Sequence, residues 1–232
     1  MMILNGVDIR DAVPGIKIED IRVSPVSFIP TVRDRAIQSG QVFVRMRQGT
    51  RTVAVTVAVL EANRYKRQML LEDLTRWAVY DAPKPLSLSY YPGRLIDVIC
   101  TGLPTPSTRQ WWEGKLTITF TAYEPYFYSQ QEKTANCGQE INIGGTAPPL
   151  MRITRTLTSA GSNQSYSDSK DTLTFSTIPV GEMTIDLNRQ TAVVGSTSIM
   201  QYLSFSSSFI KPRTGQITIT GTGGVKWRER WE

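Results

Sequence analysis

No histidine occurs among the 232 residues of this chain, and that decides more of its chemistry than any motif present. Without imidazole there is no Ser-His-Asp or Cys-His nucleophile and no histidine-ligated zinc. Cys100 and Cys137 are too few for a four-cysteine zinc site. The simplest reading is a pair of reduced thiols in a protein made in a cytosol. Paired carboxylates could still carry glycoside hydrolysis. However, Glu124, Asp168, Asp171, Glu182 and Asp186 occupy the ordinary places of strand-flanking charge. The chain is therefore expected not to be an enzyme and to use no metal or cofactor.

Binding chemistry has a few more candidates. Gly144–Gly145 and Thr220–Gly224 are glycine-rich but open no helix, so neither offers the free N–H groups of a phosphate loop. Both read as β-turns. Arg45, Arg47 and Arg51 have no acidic residue between Asp34 and Glu61 to offset them. They could face water, an acidic protein surface or phosphate; without interleaved aromatics they make no platform for reading bases. Trp227 and Trp231 bracket alternating charges in KWRERWE. They read either as a last strand closing a sandwich or as contacts for a glycan.

The elements that would position these residues are almost all strands. The exception is RYKRQMLLEDLTRWAVYD (Arg64–Asp81), where Met69 or Leu70, Leu74, Trp77 and Ala78 recur with helical period. Pro83 and Pro85 end it. Arg64, Lys66 and Arg67 crowd its first turn, so a group outside the helix must offset them. Upstream, residues 1–30 read as an arm of short strands that needs a neighbouring sheet. QVFVRMR, Gln48–Gly49 and TVAVTVAVL read as a hairpin, with Val42, Val44 and Met46 on one face of its first strand. In its second strand Val53, Val55, Val57 and Val59 face the core. The opposite row, Thr52, Ala54, Thr56 and Ala58, is small and smooth, suited either to another subunit or to water. Lys115–Tyr123 alternates in the same way, and Glu124–Tyr128 forms an aromatic plug beside a proline.

Composition shifts near residue 130. Beyond it lie short strands at Met151–Thr158, Thr172–Ser176, Met183–Leu187, Thr191–Val194, Met200–Phe205 and Gln216–Thr220, with Gly161–Ser162–Asn163 among the linkers. Even spacing without helices predicts an antiparallel sandwich. The fold class is mainly β, with one β domain carrying a helix over residues 1–133 and a β-sandwich over 134–232. Hydrophobic residues at 40% suffice for cores, and the net charge of +6, spread over both halves, points only weakly to a polyanionic partner. MMILNGVDIRD has neither the charged nor the apolar region of a signal peptide, and no apolar run reaches the length of a membrane helix. A soluble, cytosol-made protein is expected.

In order and spacing these pieces resemble the distal tail protein (Dit) family of long-tailed bacteriophages. The likeness runs through the arm, the segment Val42–Val59, the helix with Leu70, Leu71, Leu74 and Trp77, and Asp81–Ala82–Pro83. It continues through Pro92–Gly93–Arg94, Trp112 and Tyr123–Glu124–Pro125–Tyr126–Phe127. In the second half it covers Ile143–Pro149, Gly181–Asp186 and Val225–Trp231. The resemblance implies a virion structural protein of the tail tip, synthesised in the host bacterial cytoplasm. It implies a ring-forming first domain, six copies to a ring, and a galectin-like or carbohydrate-module-like sandwich outside it. The ring would join the tail tube protein to the hub or fibre protein, with DNA passing through the channel without specific binding. In that reading Arg45, Arg47, Arg51, Thr52, Ala54, Thr56 and Ala58 meet a subunit or partner. A carbohydrate-binding module in host-surface adhesion, acting through Trp227 or Trp231, is the competing function.

Overall fold

A computed structural model describes residues 1–34, 41–59, 61, 63–103 and 115–232; Trp112 lies outside them. The chain divides into two compact units, Met1–Phe127 with Glu232, and Tyr128–Trp231. The architecture is mainly β and antiparallel throughout its named pairings, as the alternating sequence requires.

The first unit opens on β1 (Met2–Leu4) and β2 (Val7–Asp8), joined by Asn5 and Gly6 with φ of 51° and 82°. Positive φ at both turn residues matches the strand twist, and Asn-Gly is the sequence that permits it. A short helix α1 (Ile9–Ala12) follows, capped by the Asp8 carboxylate, which accepts from the Arg10 N–H. Next come β3 (Ile16–Val23), β4 (Phe28–Asp34), β5 (Gln41–Gln48), β6 (Arg51–Val59), α2 (Arg64–Ala78), β7 (Lys84–Leu88), β8 (Arg94–Gly102) and β9 (Lys115–Ala122).

The expected arm is instead part of this unit's own sheet. β1 pairs with β7, Met2 opposite Leu88, and Met2 and Leu4 are fully buried. An apolar pair at i, i+2 beside a ready strand edge is better satisfied at home than by a neighbour. β7 continues to β8, β8 to β9, β9 to β6 and β6 to β3. A bulge between Ile18 and Asp20 accounts for the odd spacing of Ile16, Ile18 and Ile21.

α2 is the expected helix. Leu74, Trp77 and Ala78 are buried while Met69 is half exposed, so the stripe runs through Leu70. Trp77 meets Phe120 edge to face, with centroids 6.3 Å apart, and its indole N–H donates to the Val7 carbonyl at 3.1 Å. The crowded cations of the first turn are offset from outside. The Asn63 side chain accepts from the N–H groups of Tyr65 and Lys66, the Glu61 carboxylate accepts from the Asn63 N–H, and Arg67 donates to the Glu61 carbonyl.

The chain passes out of the first unit through β10 (Phe127–Ser129). The second unit contains β11 (Lys133–Asn136), β12 (Glu140–Ile143), β13 (Ala147–Leu157), β14 (Gly161–Ser167), β15 (Thr172–Ile178), β16 (Gly181–Asp186), β17 (Thr191–Val194), β18 (Thr197–Ser198), β19 (Gly215–Thr218) and β20 (Gly224–Trp231). One layer runs β18-β17-β16-β13-β20-β11. The pairs β12–β19 and β14–β15 build the other, linked by a bridge between Ser167 and Thr220. Between them lie Met151, Ile153, Tyr166, Phe175, Ile185, Ile217 and Trp227 in one buried cluster.

Two sequence expectations fail here. Met200–Phe205 is not a strand: Met200–Tyr202 forms a 3₁₀ turn, and Phe205 is fully exposed. Gly161–Asn163 is not a linker but the start of β14, where Asn163 tolerates a φ of 52°. The turn at Gly144–Gly145 does require glycine. A Cβ on Gly145, at φ +97°, would sit 2.2 Å from the Arg230 carbonyl oxygen.

Candidate functional site

The feature without an internal purpose is the pair β4–β5. Among the described residues the two strands pair only with each other, Phe28 opposite Gln48 through Asp34 opposite Gln41. The expected hairpin of β5 with β6 does not form. At the junction Ser27 N–H donates to the Thr50 carbonyl and Gly49 N–H to the Ser27 carbonyl, so β3–β4 runs beside β5–β6 as one long ribbon. Gln48–Gly49 is thus a point where two strands continue side by side. Glycine is needed there because a Cβ would meet the Ser27 hydroxyl at 2.4 Å.

A register shift between Thr31 and Val32 re-sorts the ribbon's faces. Phe28, Pro30, Val32, Phe43 and Met46 fall on one face; Ile29, Thr31, Arg33, Val42, Arg45 and Arg47 on the other. Strict alternation had set Phe43 opposite Met46, and the bulge brings them together. Phe28 and Phe43 are each 58% exposed and Met46 53%. Exposed aromatic and aliphatic side chains clustered on one face mark an interaction surface.

Arg51 does not join Arg45 and Arg47. It is 6% exposed, its guanidinium lies 5.3 Å from the Phe127 ring centroid, and its Nε has no hydrogen-bond partner among the described residues. Phe127 in turn stacks on Tyr91 at 4.5 Å. Burial lowers the Arg51 pKa, while Tyr91 and Glu232 oppose that shift. The sequence held the signal, since Arg51 shares the parity of buried Val53, Val55 and Val57. Of the small row, Thr52, Ala54 and Thr56 remain half-exposed. Ala58 is buried, flanked in register by Lys17 and Lys115. The open row is extended by β9: Thr56 and Thr117 hydroxyls are 3.2 Å apart, Thr101 and Thr121 2.8 Å.

Trp227 is withdrawn as a glycan contact. It is 6% exposed and inward-facing on β20. Trp231, four residues on along the same face, is half-buried. Between them Glu229, which sequence reasoning passed over, is an anchor: its carboxylate accepts from Lys133 Nζ at 2.6 Å and from the Gly144 N–H at 3.0 Å. Burial pushes its pKa up, but Lys133 and Gly144 outweigh that and hold it below the usual glutamate value. A lowered carboxyl pKa contributes stability that is full above the unfolded value and lost as pH falls through the folded one. The thermal midpoint is therefore expected to fall as pH drops from 7 to below 4, and Glu229→Gln to flatten that dependence.

Three of the five carboxylates considered for catalysis are held by structural partners. Asp168 pairs with Arg213, Asp171 accepts from the Ser208 hydroxyl, and Asp186 accepts from the N–H groups of Asn188 and Arg189. Among the described residues no group of three Cys, Asp or Glu could hold a metal ion, and no helix is long and apolar enough to cross a membrane. Cys100 and Cys137 are free, and burial raises both thiol pKa values.

No protein-family model and no curated protein matches the sequence. The fold nevertheless belongs to a known architectural class, shared with a solved protein of a phage adsorption apparatus. The Dit protein of phage SPP1, a paradigm of the hub adsorption apparatus in phages infecting Gram-positive bacteria, matches with a TM-score of 0.77 at 18% identity. The match covers 100% of this chain and 98% of that one. A chain of the activated phage P2 baseplate with Ca matches at TM-score 0.49 and 11% identity, over 94% and 91%.

Proposed function

We propose that this chain is a structural subunit of a phage tail tip, made in the host cytoplasm and closing with copies of itself into a ring, six to the turn. The ring would connect the tail tube protein to the hub or fibre protein, and DNA would cross its channel without specific binding. The chain acts as a scaffold and not as a catalyst. The full-length likeness to the SPP1 Dit fold supports the setting.

The observation that carries the assembly is the β4–β5 ribbon. An apolar face outside any core is stable in water only when something covers it, and a second copy is always available to do so. Arg45 and Arg47 on the reverse face add charge that can select the docking direction. The half-exposed row Thr52, Ala54 and Thr56 offers a smooth second contact that lets backbones approach. We read the second unit as the outward, galectin-like sandwich. Of the two tryptophans the adhesion module would use, Trp227 is core and Trp231 is half-buried, and this favours the ring reading.

The test is light scattering across a concentration series. The native chain is expected at about six times its monomer mass. The double variant Phe28→Ser, Phe43→Ser is expected to be monomeric, with its thermal midpoint within a few degrees of native because both side chains are already in water. A native chain that stays monomeric at every concentration overturns self-closing assembly.

A further inference from the structure

A ring of more than two copies needs two different surfaces on each copy, because head-to-tail contact joins one patch to another. The ribbon supplies one of them. A second lies at the far end of the same pair of strands. β3 and β6 run side by side from Ile16 opposite Val59 to Val23 opposite Val53, and the ribbon continues from the Val23–Val53 end. At the Ile16–Val59 end, about 25 Å away at the rise of an extended strand, there is an apolar hollow of about 420 Å³. Its walls are α2 and the Pro14–Gly15 turn that leads into β3.

Local sequence shapes this hollow. Gly15, at φ +95°, brings the turn onto α2, where a Cβ on it would touch Leu70 Cδ1 at 3.8 Å. Leu70 belongs to the helix stripe that faces the core. Met69 beside it points outward and is 50% exposed, and Tyr65, one turn earlier, is 75% exposed. α2 therefore carries two apolar rows: Leu70, Leu74 and Trp77 inward, and Tyr65 with Met69 at i, i+4 outward. The outward row is in water, as the ribbon's apolar face is.

We propose that the hollow receives the β4–β5 ribbon of the next copy, with Phe28, Phe43 and Met46 laid along Met69, Leu70 and Pro14. This rests on the ring proposed for the chain and names the surface that the ribbon meets. The β3–β6 ladder holds ribbon and hollow at opposite ends of one unit, so a chain cannot fill its own hollow. Ribbon against ribbon would close a dimer; ribbon against hollow repeats, as a ring requires. Charge decides which face of the ribbon enters. On the rim, Asp73 is held by Arg76 at 3.0 Å, and the Glu61 carboxylate accepts from the Asn63 N–H at 2.9 Å. The remaining charge of the lining is Lys66. It repels the face bearing Arg33, Arg45 and Arg47 and tolerates the uncharged face that carries the phenylalanines.

The test is cross-linking of the full chain with Cys100 and Cys137 replaced by serine. Phe43→Cys on the ribbon and Met69→Cys in the hollow are made singly and together. They are treated with a short bismaleimide, which tolerates a small misplacement but cannot bridge the two ends of one chain. The double variant is expected to give a ladder of covalent multimers ending at the size of the ring. Each single variant should stay monomeric on a denaturing gel, and a mixture of the two should stop at dimers. Met69→Glu is expected to reduce the mass in solution from ring to monomer. Its thermal midpoint should stay within a few degrees of native, because the side chain is already half in water. A ring that survives Met69→Glu, that cross-links through Phe43→Cys alone, or that gives no ladder in the double variant overturns this assignment and leaves the ring standing. The hollow then belongs to another occupant, such as the hub or fibre protein. A native chain that is monomeric at every concentration removes the ring and the assignment together.

Discussion

Asp168→Ala is expected to lower the unfolding free energy by about 3–5 kcal/mol, the usual cost of breaking a buried ion pair from one side. Its side chain is 0% exposed, and Arg213 Nη1 donates to it at 2.6 Å. The other carboxylate oxygen accepts from the N–H groups of Lys170 and Asp171, closing a turn in which Ser169 has a φ of 75°. Arg213 also donates to the Asp168 carbonyl, tying the loop before β19 to the β14–β15 connection. Alanine would leave a guanidinium and two backbone N–H groups without their acceptor. Asn at the same place keeps an acceptor for the turn and loses the charge, so it should cost less than half as much. Urea unfolding of the three proteins measures the series. An alanine variant within 1 kcal/mol of native would show that Asp168 does not hold the turn.

Trp77→Ala is expected to cost about 3–5 kcal/mol, through transfer and cavity terms together. The ring is 4% exposed and packs against Phe120, which is itself fully buried. Loss of the indole N–H also strands the Val7 carbonyl, and with it the turn that returns β2 to α1. Trp77→Phe separates the two effects: an aromatic ring stays against Phe120 while the hydrogen bond goes, and about 1–2 kcal/mol is the expected loss. Near-ultraviolet circular dichroism alongside urea unfolding distinguishes local loosening from global loss of stability.

Features that depend on a local period were legible in the sequence. α2 declared itself because Leu70, Leu74, Trp77 and Ala78 lie on one side of a 3.6-residue turn. β6 and β9 did so because every second residue is apolar. Parity also places Arg51 inward, where its charge alone suggests the surface, and it places Trp227 inward as a last strand closing the sandwich requires. What was not legible was pairing. Nothing in QVFVRMRQ says that its partner lies upstream in FIPTVRD, where Pro30 disguises a strand, and not downstream across Gln48–Gly49. Pairing is decided by which edges are free once the whole unit folds, and a bulge then moves side chains between faces in a way no fixed period encodes.

The ribbon has a consequence for the life of the molecule before it is assembled. Two strands without a third are marginal in water, and each exposes an unpaired edge of N–H and C=O groups beside uncovered phenylalanines. Such a surface does not discriminate in time: the first compatible edge it meets will add to it, whether that edge belongs to the right neighbour or to an unfinished chain. Fidelity then depends on abundance. A newly made chain is safest when completed copies outnumber nascent ones, because the strands that would join subunits in the proposed ring would also limit how long the chain can remain alone.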